Sequence, residues 1–406
     1  MGTNTPSLDQ QHPLRKSRRS KRPLIEWFQD TEVDVISKRG ESALSVSGYH
    51  SAEPETESLA SGSTGEDFLS SIAIRSSVVV DLNRFRLRIS SNVSDFSGWK
   101  YFAKFVSDQA SPECAYELIC IDLDRDPLDL AELLPLVDRT YRAERFQVGY
   151  YLAHHFGPPA HLVTRGNRHY VFGRNLERTV WPYFIKHLLT VYAADHRMVH
   201  LKAAGFVQDA GATLLFGKGG AGKTVFLTQA CLSGARFLAN THVLVRDGLV
   251  YGIPSAMRVR SDPWFAPLVA AGQLQQHFEK GEYRADPNQL FENGWQLEAP
   301  VRNVCIVDFD EDRPSHVTEL DTESFCLFLD NFALAIGTYG LKDDLLAHVE
   351  GDLKRYLAAH QAMRESMVKL VEGCRRLHVN VDMLDPVARA DVLAMLGENT
   401  GEAARQ

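Results

Sequence analysis

The chain has 406 residues, 44% of them hydrophobic, with a net charge of -8 and a pI near 6.0. That length accommodates two or three domains and that composition supports a real core, which argues against fibrous and membrane-embedded classes. The acidic balance argues against a whole-molecule nucleic-acid binder.

Six cysteines, at 114, 120, 231, 305, 326 and 374, form no C-x-x-C pair and no zinc spacing with histidine, so they read as reduced core residues. No apolar run approaches the ~18 residues of a membrane span, and the first residues lack the apolar core of a signal peptide. A cytoplasmic location without membrane insertion is expected.

Residues 1–70 are rich in Ser, Glu, Gly, Thr and Arg, a composition that buries too little surface to offset ordering entropy, and they read as a disordered tail. Within them, Arg15, Lys16, Arg18, Arg19, Lys21 and Arg22 form a basic run, followed by the acidic SAEPETESLASGSTGED. Two readings stand: a solvated tail, or an electrostatic contact with nucleic acid, anionic lipid or an acidic partner.

Residues 71–195 read as a β-rich N-terminal domain. SSVVVDLNRFRLRISS and ECAYELICIDLD carry strand patterning, as do FQVGYYLAHHF and AHLVTRGNRHYVFGR. Asp122, Asp124 and Asp126 lack the glycine and distal Glu of a calcium loop, so they read as solvated carboxylates at a strand end. His154 and His155 are adjacent, would point to opposite faces of a strand, and read as structural. VWPYFIKHLLTVYAADH, residues 180–196, has helical periodicity.

The densest chemistry lies in TLLFGKGGAGKTVFLTQA, residues 213–230. An apolar strand enters Gly217, Lys218, Gly219, Gly220, Ala221, Gly222, Lys223 and Thr224, and Val225 continues into a predicted helix. This is the G-x-x-x-x-G-K-[ST] pattern in strand-loop-helix context. The glycines let successive backbone N–H groups converge on an anion at a helix N-terminus, where the dipole adds attraction. Lys223 is expected to reach the β/γ-phosphates, and Thr224, first in the helix, to place its hydroxyl on Mg²⁺.

Upstream, MVHLKAAGFV and ATLLF read as two strands joined at QDAG. Downstream, Ser233-Gly234 stops the helix, and a strand pair turns at Asp247-Gly248. Arg258 and Arg260 lie two apart in SAMRVRSDPW, hence on one face if extended, as a phosphate or carboxylate clamp or as ordinary surface cations. Residues 264–298 look helical and loop-rich. VRNVCIVDFDED ends a strand in Asp308 and Asp310, the position from which a carboxylate holds Mg²⁺, although strands also end in Asp for turn chemistry alone. Residues 321–398 read as mostly helical, with a short strand LHVNVDM and a final helix capped by Asp385 with Pro386 at its first position; 399–406 read as a tail.

Taken together, VHLKAAGFV, ATLLFGKGGAGKT, a helix, GARFLANTHVLV and YGIP resemble the HPr kinase/phosphorylase-like P-loop kinases, whose core is shared with phosphoenolpyruvate carboxykinase. The resemblance covers roughly residues 196–260. It implies an α/β P-loop core over 196–320, completed by the helical part, and ATP- and Mg²⁺-dependent phosphoryl transfer to a hydroxyl. His200 falls where the family has its histidine. Where the family carries paired aspartates, this chain has Asn240-Thr241 followed by His242; an amide can ligate Mg²⁺ but cannot take the acceptor's proton.

The expected function is therefore a kinase acting on a small molecule or peptide side chain. Thr224, Asn240 and Asp308 are the metal candidates, and Lys223, His200, His242, Arg258 and Arg260 the catalytic ones. A nucleotide-dependent regulatory module without efficient transfer is the alternative. Lys218-Gly219-Gly220-Ala221-Gly222-Lys223-Thr224 also resembles the KGGxGKT loop of the partitioning and anion-pump ATPases, which would imply a homodimer with Lys218 on the partner's γ-phosphate.

Overall fold

The computed structural model describes residues 62–107, 113–141, 160–174, 176–178, 180–260, 265–276 and 282–398. The basic run, His154-His155, FQVGYYLAHHF and the C-terminal tail lie outside them. The fold is mixed α/β. Two compact units divide the chain, and the described residues of the smaller lie within Val259–Tyr283.

In the larger unit, the first sheet is built from β1 (Ser76–Asp81), β2 (Arg86–Ser91), β3 (Val106–Ser107), β4 (Tyr116–Asp122), β5 (Arg139–Tyr141), β6 (Ala160–Arg165) and β7 (Arg168–Gly173), in the order β3-β1-β2-β4-β7-β6-β5. The alternating run around Asn83 forms the β1/β2 hairpin, and Gly166-Asn167 turns β6 into β7. β4 runs parallel to β2 and β7. Flanked on both sides, it is buried at nearly every position, as a central parallel strand should be.

The tail reading fails at its C-terminal end, because Gly62–Ser71 is a helix. Leu69 is buried against Ile119, Ile121, Val163 and Phe172, with Phe68 stacked on Phe172. Three apolar residues at helical spacing, Phe68, Leu69 and Ile72, outweigh a polar composition once the sheet offers a face to cover.

A second correction concerns CIDLDRD. Asp122 is buried, not solvated: its carboxylate accepts from the N–H groups of Asp124 and Arg125 and from the Arg125 guanidinium at 2.8 and 3.0 Å. Arg125 also meets Asp95 and Glu177. These carboxylates are structural, tying the β4 end to its loops.

The second sheet is built from β8 (Val199–Leu201), β9 (Ala204–Gln208), β10 (Gly211–Phe216), β11 (Arg236–Ala239), β12 (Val243–Arg246) and β13 (Leu249–Gly252). The chain then passes through the separate unit, which carries most of a small sheet of β14 (Met257–Arg260), β15 (Gln275–Gln276) and β16 (Glu282–Ala285), ordered β14-β16-β15. It returns in β17 (Glu298–Val307), β18 (His316–Glu319) and β19 (Arg375–Asn380), and the order is β11-β9-β10-β17-β13-β12-β8, with β19 pairing β17 and β18.

β17 is the spine of this sheet. Its first residues pair with β13, and its later ones lie between β10 and β19, parallel to both. The expected single strand MVHLKAAGFV is broken at Lys202-Ala203. β8 pairs with β12, whereas β9 pairs with β10 and β11, because the Lys202 N–H leaves the ladder to donate to the Ala333 carbonyl. The Asp247-Gly248 turn does join β12 to β13, with positive φ at both residues. Helices Thr322–Phe332, Ala335–Tyr339, Lys342–His348, Leu353–Glu372 and Pro386–Gly397 fill 321–398, and Asp385 caps the last with Pro386 following. The two large sheets meet where the Asn83 amide donates to the carbonyls of Gly252 and Leu297.

All six cysteines are free. Among the described residues, no helix is long and apolar enough to cross a membrane.

Candidate nucleotide and acceptor site

β9 is antiparallel to both β10 and β11, so β11, β10, β17 and β19 all run the same way. Their carboxyl ends therefore share one edge of the sheet, the edge where open α/β sheets bind ligands. From it emerge Asn240 after β11, Gly217 after β10 and Asp308 after β17.

The loop after β10 leads into helix Lys223–Leu232, which starts one residue earlier than expected, so that Thr224 is its second residue. Phe226, Leu227, Ala230 and Cys231 bury one face of this helix, with Phe226 stacked on Phe206 of β9. Its N-cap is Gly222, in the left-handed region at φ 87°. Gly217, at φ 144°, is where a side chain would be intolerable: a Cβ would collide with the Val307 carbonyl oxygen of β17. Gly220, at φ 86°, has open space where its Cβ would be.

Lys223 is partly buried, and its ammonium donates to the carbonyls of Gly217 and Lys218 at 2.6 and 2.8 Å. Burial, together with the charge of Lys202, pulls its pKa down to about 7. The Thr224 hydroxyl makes no hydrogen bond among the described residues, and Val225 follows it half-buried. Ala221 is buried, and its carbonyl accepts from the Phe309 N–H, joining the loop to the end of β17.

Asp308 is buried between two cations. Lys218 Nζ stands 3.2 Å from one carboxylate oxygen and Arg313 Nη2 3.1 Å from the other, while Arg313 Nε reaches Asp310 at 3.1 Å. The strand-end position of Asp308 agrees with the sequence reading. Its pairing to Lys218, within one chain, was not foreseen.

The histidines come together as well. Thr190 Oγ1 lies 2.9 Å from His200 Nδ1, His200 Nε2 lies 2.9 Å from His242 Nδ1, and His242 Nε2 lies 3.3 Å from the Tyr339 hydroxyl. His242 precedes β12 and is fully buried among Trp181, His200 and Tyr339. Each imidazole needs only one proton to satisfy this chain, and the whole chain can run in either direction. Burial and the charge of Lys186 bring His200 down to about 3; burial, Lys186, His200 and Lys202 hold His242 low in the same way.

Arg258 is exposed on β14, and its charge reaches Lys186; the Arg260 side chain lies outside the described residues. Asn240 is half-buried at the end of β11. Lys186, Lys202, Tyr339, Trp181 and Arg313 were missed. The signal for Lys186 was present as a lone cation inside the apolar stretch VWPYFIKHLL, where an unpaired charge is rarely buried. The turn before it is a π-helix, Val180–Ile185, a form that recurs at functional sites.

No protein-family model matches the chain, and no curated protein matches it.

Proposed function

We propose that the protein is a nucleotide-dependent phosphotransferase with a P-loop kinase core, acting on a hydroxyl acceptor. The observation that carries this reading is the carboxylate of Asp308 at the end of the strand parallel to β10, bound directly to a lysine of the glycine loop. A phosphate fits the loop: Gly220 leaves open space, Gly222 opens a helix N-terminus, and Lys223 is held at the loop by carbonyls that a phosphate can replace. Thr224 and Asp308 would hold Mg²⁺, with Asn240 on the same edge.

ATP with Mg²⁺ would supply the γ-phosphoryl group. Lys223 would neutralise charge on it, and Lys218, freed from Asp308, would add a second cation. Asn240 cannot act as base, so the acceptor's proton would go to His242 Nε2, the nitrogen of the histidine chain with the longest contact, backed by His200. Lys218 is engaged within its own chain, which favours the kinase reading over the dimeric ATPase one.

The test is ADP formation from Mg²⁺-ATP, with and without a small-molecule extract of the source cell. Extract-stimulated turnover that is lost in Lys223→Ala is expected. Asn240→Asp should raise turnover roughly tenfold or more, by restoring a carboxylate base. Nucleotide binding without ADP above the Lys223→Ala level would instead favour a nucleotide-dependent regulatory module.

A further inference from the structure

Buried lysines are rare because an ammonium loses its hydration there, and the usual remedy is a carboxylate partner. Lys186 is 6% exposed, and among the described residues no carboxylate pairs with it. Its Nζ instead lies 4.1 Å above the Tyr339 ring and 5.9 Å from the Trp181 ring. Lys202 approaches the same Tyr339 ring at 5.4 Å, also without a carboxylate, and retains some solvent exposure.

Two ammonium groups thus share one aromatic ring whose hydroxyl touches His242. Burial, and after it the charge of Lys202, hold Lys186 well below the usual lysine range, and burial lowers Lys202 as well. Besides burial, the charge of Lys202 also lowers the pKa of Lys223 in the glycine loop. Cation–π contacts offset only part of the cost of burying such charges. A fold that keeps them so is shaped for an anion that it does not itself supply.

Resting on the kinase reading, we propose that Lys186 and Lys202 receive an oxyanion carried by the acceptor, so that the substrate is a small hydroxy compound bearing its own carboxylate or phosphate group. Tyr339 and Trp181 wall this group, and Lys202, the more exposed cation, stands on its way in. Binding there places the acceptor beside His242 Nε2.

Isothermal titration of the full chain tests this with two probes, inorganic sulfate for a phosphate monoester and acetate for a carboxylate. Each is titrated into protein saturated with Mg²⁺ and the non-hydrolysable analogue AMPPNP. Uptake of one probe by the wild type is expected, weakened roughly tenfold or more in Lys186→Met and in Lys202→Met and retained in Lys186→Arg. The probe that binds identifies the group. Ligand-free Lys186→Met is expected to melt at or above the wild-type temperature, because a buried amine without a carboxylate partner is replaced by an apolar side chain of similar length.

No uptake of either probe, uptake that survives both methionine substitutions, or a Lys186→Met protein that melts lower would overturn the assignment. If AMPPNP fails to bind, the kinase reading fails separately. The lysine pair is then read by the same titration into nucleotide-free Lys223→Ala, in which the glycine-loop cation is absent.

Discussion

Lys223→Ala is expected to weaken ATP binding by roughly a hundredfold, equivalent to about 3 kcal/mol, because one charge-assisted contact to phosphate is lost in a partly desolvated loop. The wild-type interaction is linked to protons. With its pKa near 7 in the ligand-free fold, Lys223 is largely neutral at pH 8, whereas a bound phosphate favours the ammonium. Nucleotide binding at pH 8 should therefore take up a proton, seen as an enthalpy that changes with the ionisation heat of the buffer. Lys223→Ala should remove that dependence at ligand concentrations that still saturate it. The sign for folding follows. The folded pKa lies below the unfolded value of about 10.4, so the unfolded chain binds more protons between them, and ligand-free stability rises from pH 7 towards pH 10. A flat profile across that window would show that Lys223 keeps an ordinary pKa.

Gly217→Ala and Gly220→Ala should separate folding from binding. At Gly217 an added methyl meets the Val307 backbone oxygen, and φ lies at 144°, so the loop and β17 must move apart; a loss of about 3 kcal/mol is expected in urea unfolding. At Gly220 the methyl meets open space, and only the left-handed φ of 86° costs, about 1 kcal/mol. If phosphate binds over the loop as proposed, that methyl would crowd it, and nucleotide affinity should fall with little change in the unfolding midpoint. Equal destabilisation by both substitutions would contradict the loop geometry.

The local parts of this site were legible because they are set by short-range chemistry. Gly217 to Thr224 announce their turn and helix start through glycine φ values and spacing, Asp308 ends an apolar run, and Asp247-Gly248 and Asp385-Pro386 carry their own turn and cap. The rest depends on topology. β8 and β9, only two residues apart, sit towards opposite ends of the strand order, and that separation is what brings His200 to His242 across 42 residues. Tyr339 reaches the same point from a helix almost a hundred residues later. No periodicity encodes such a meeting. The helix Gly62–Ser71 was hidden for a related reason: its polar residues dominate composition, while its few apolar ones matter only against the face of β4 and β7.

The pairing of Lys218 with Asp308 also makes a statement about order of events. If Asp308 takes Mg²⁺ as proposed, Lys218 would have to give up its contact with that carboxylate, so nucleotide and metal should bind with mutual dependence. Asp308→Asn would free Lys218 and uncouple them.

A crystal structure of the protein with AMPPNP and Mn²⁺ in place of Mg²⁺ tests the central claim most directly, since Mn²⁺ is located by its anomalous scattering. The expected result is triphosphate over Gly217–Lys223, a metal peak between Thr224 Oγ1 and Asp308, and Lys218 turned from Asp308 to the γ-phosphate. A nucleotide bound elsewhere, or an intact Lys218–Asp308 pair with the metal held by other residues, would contradict it.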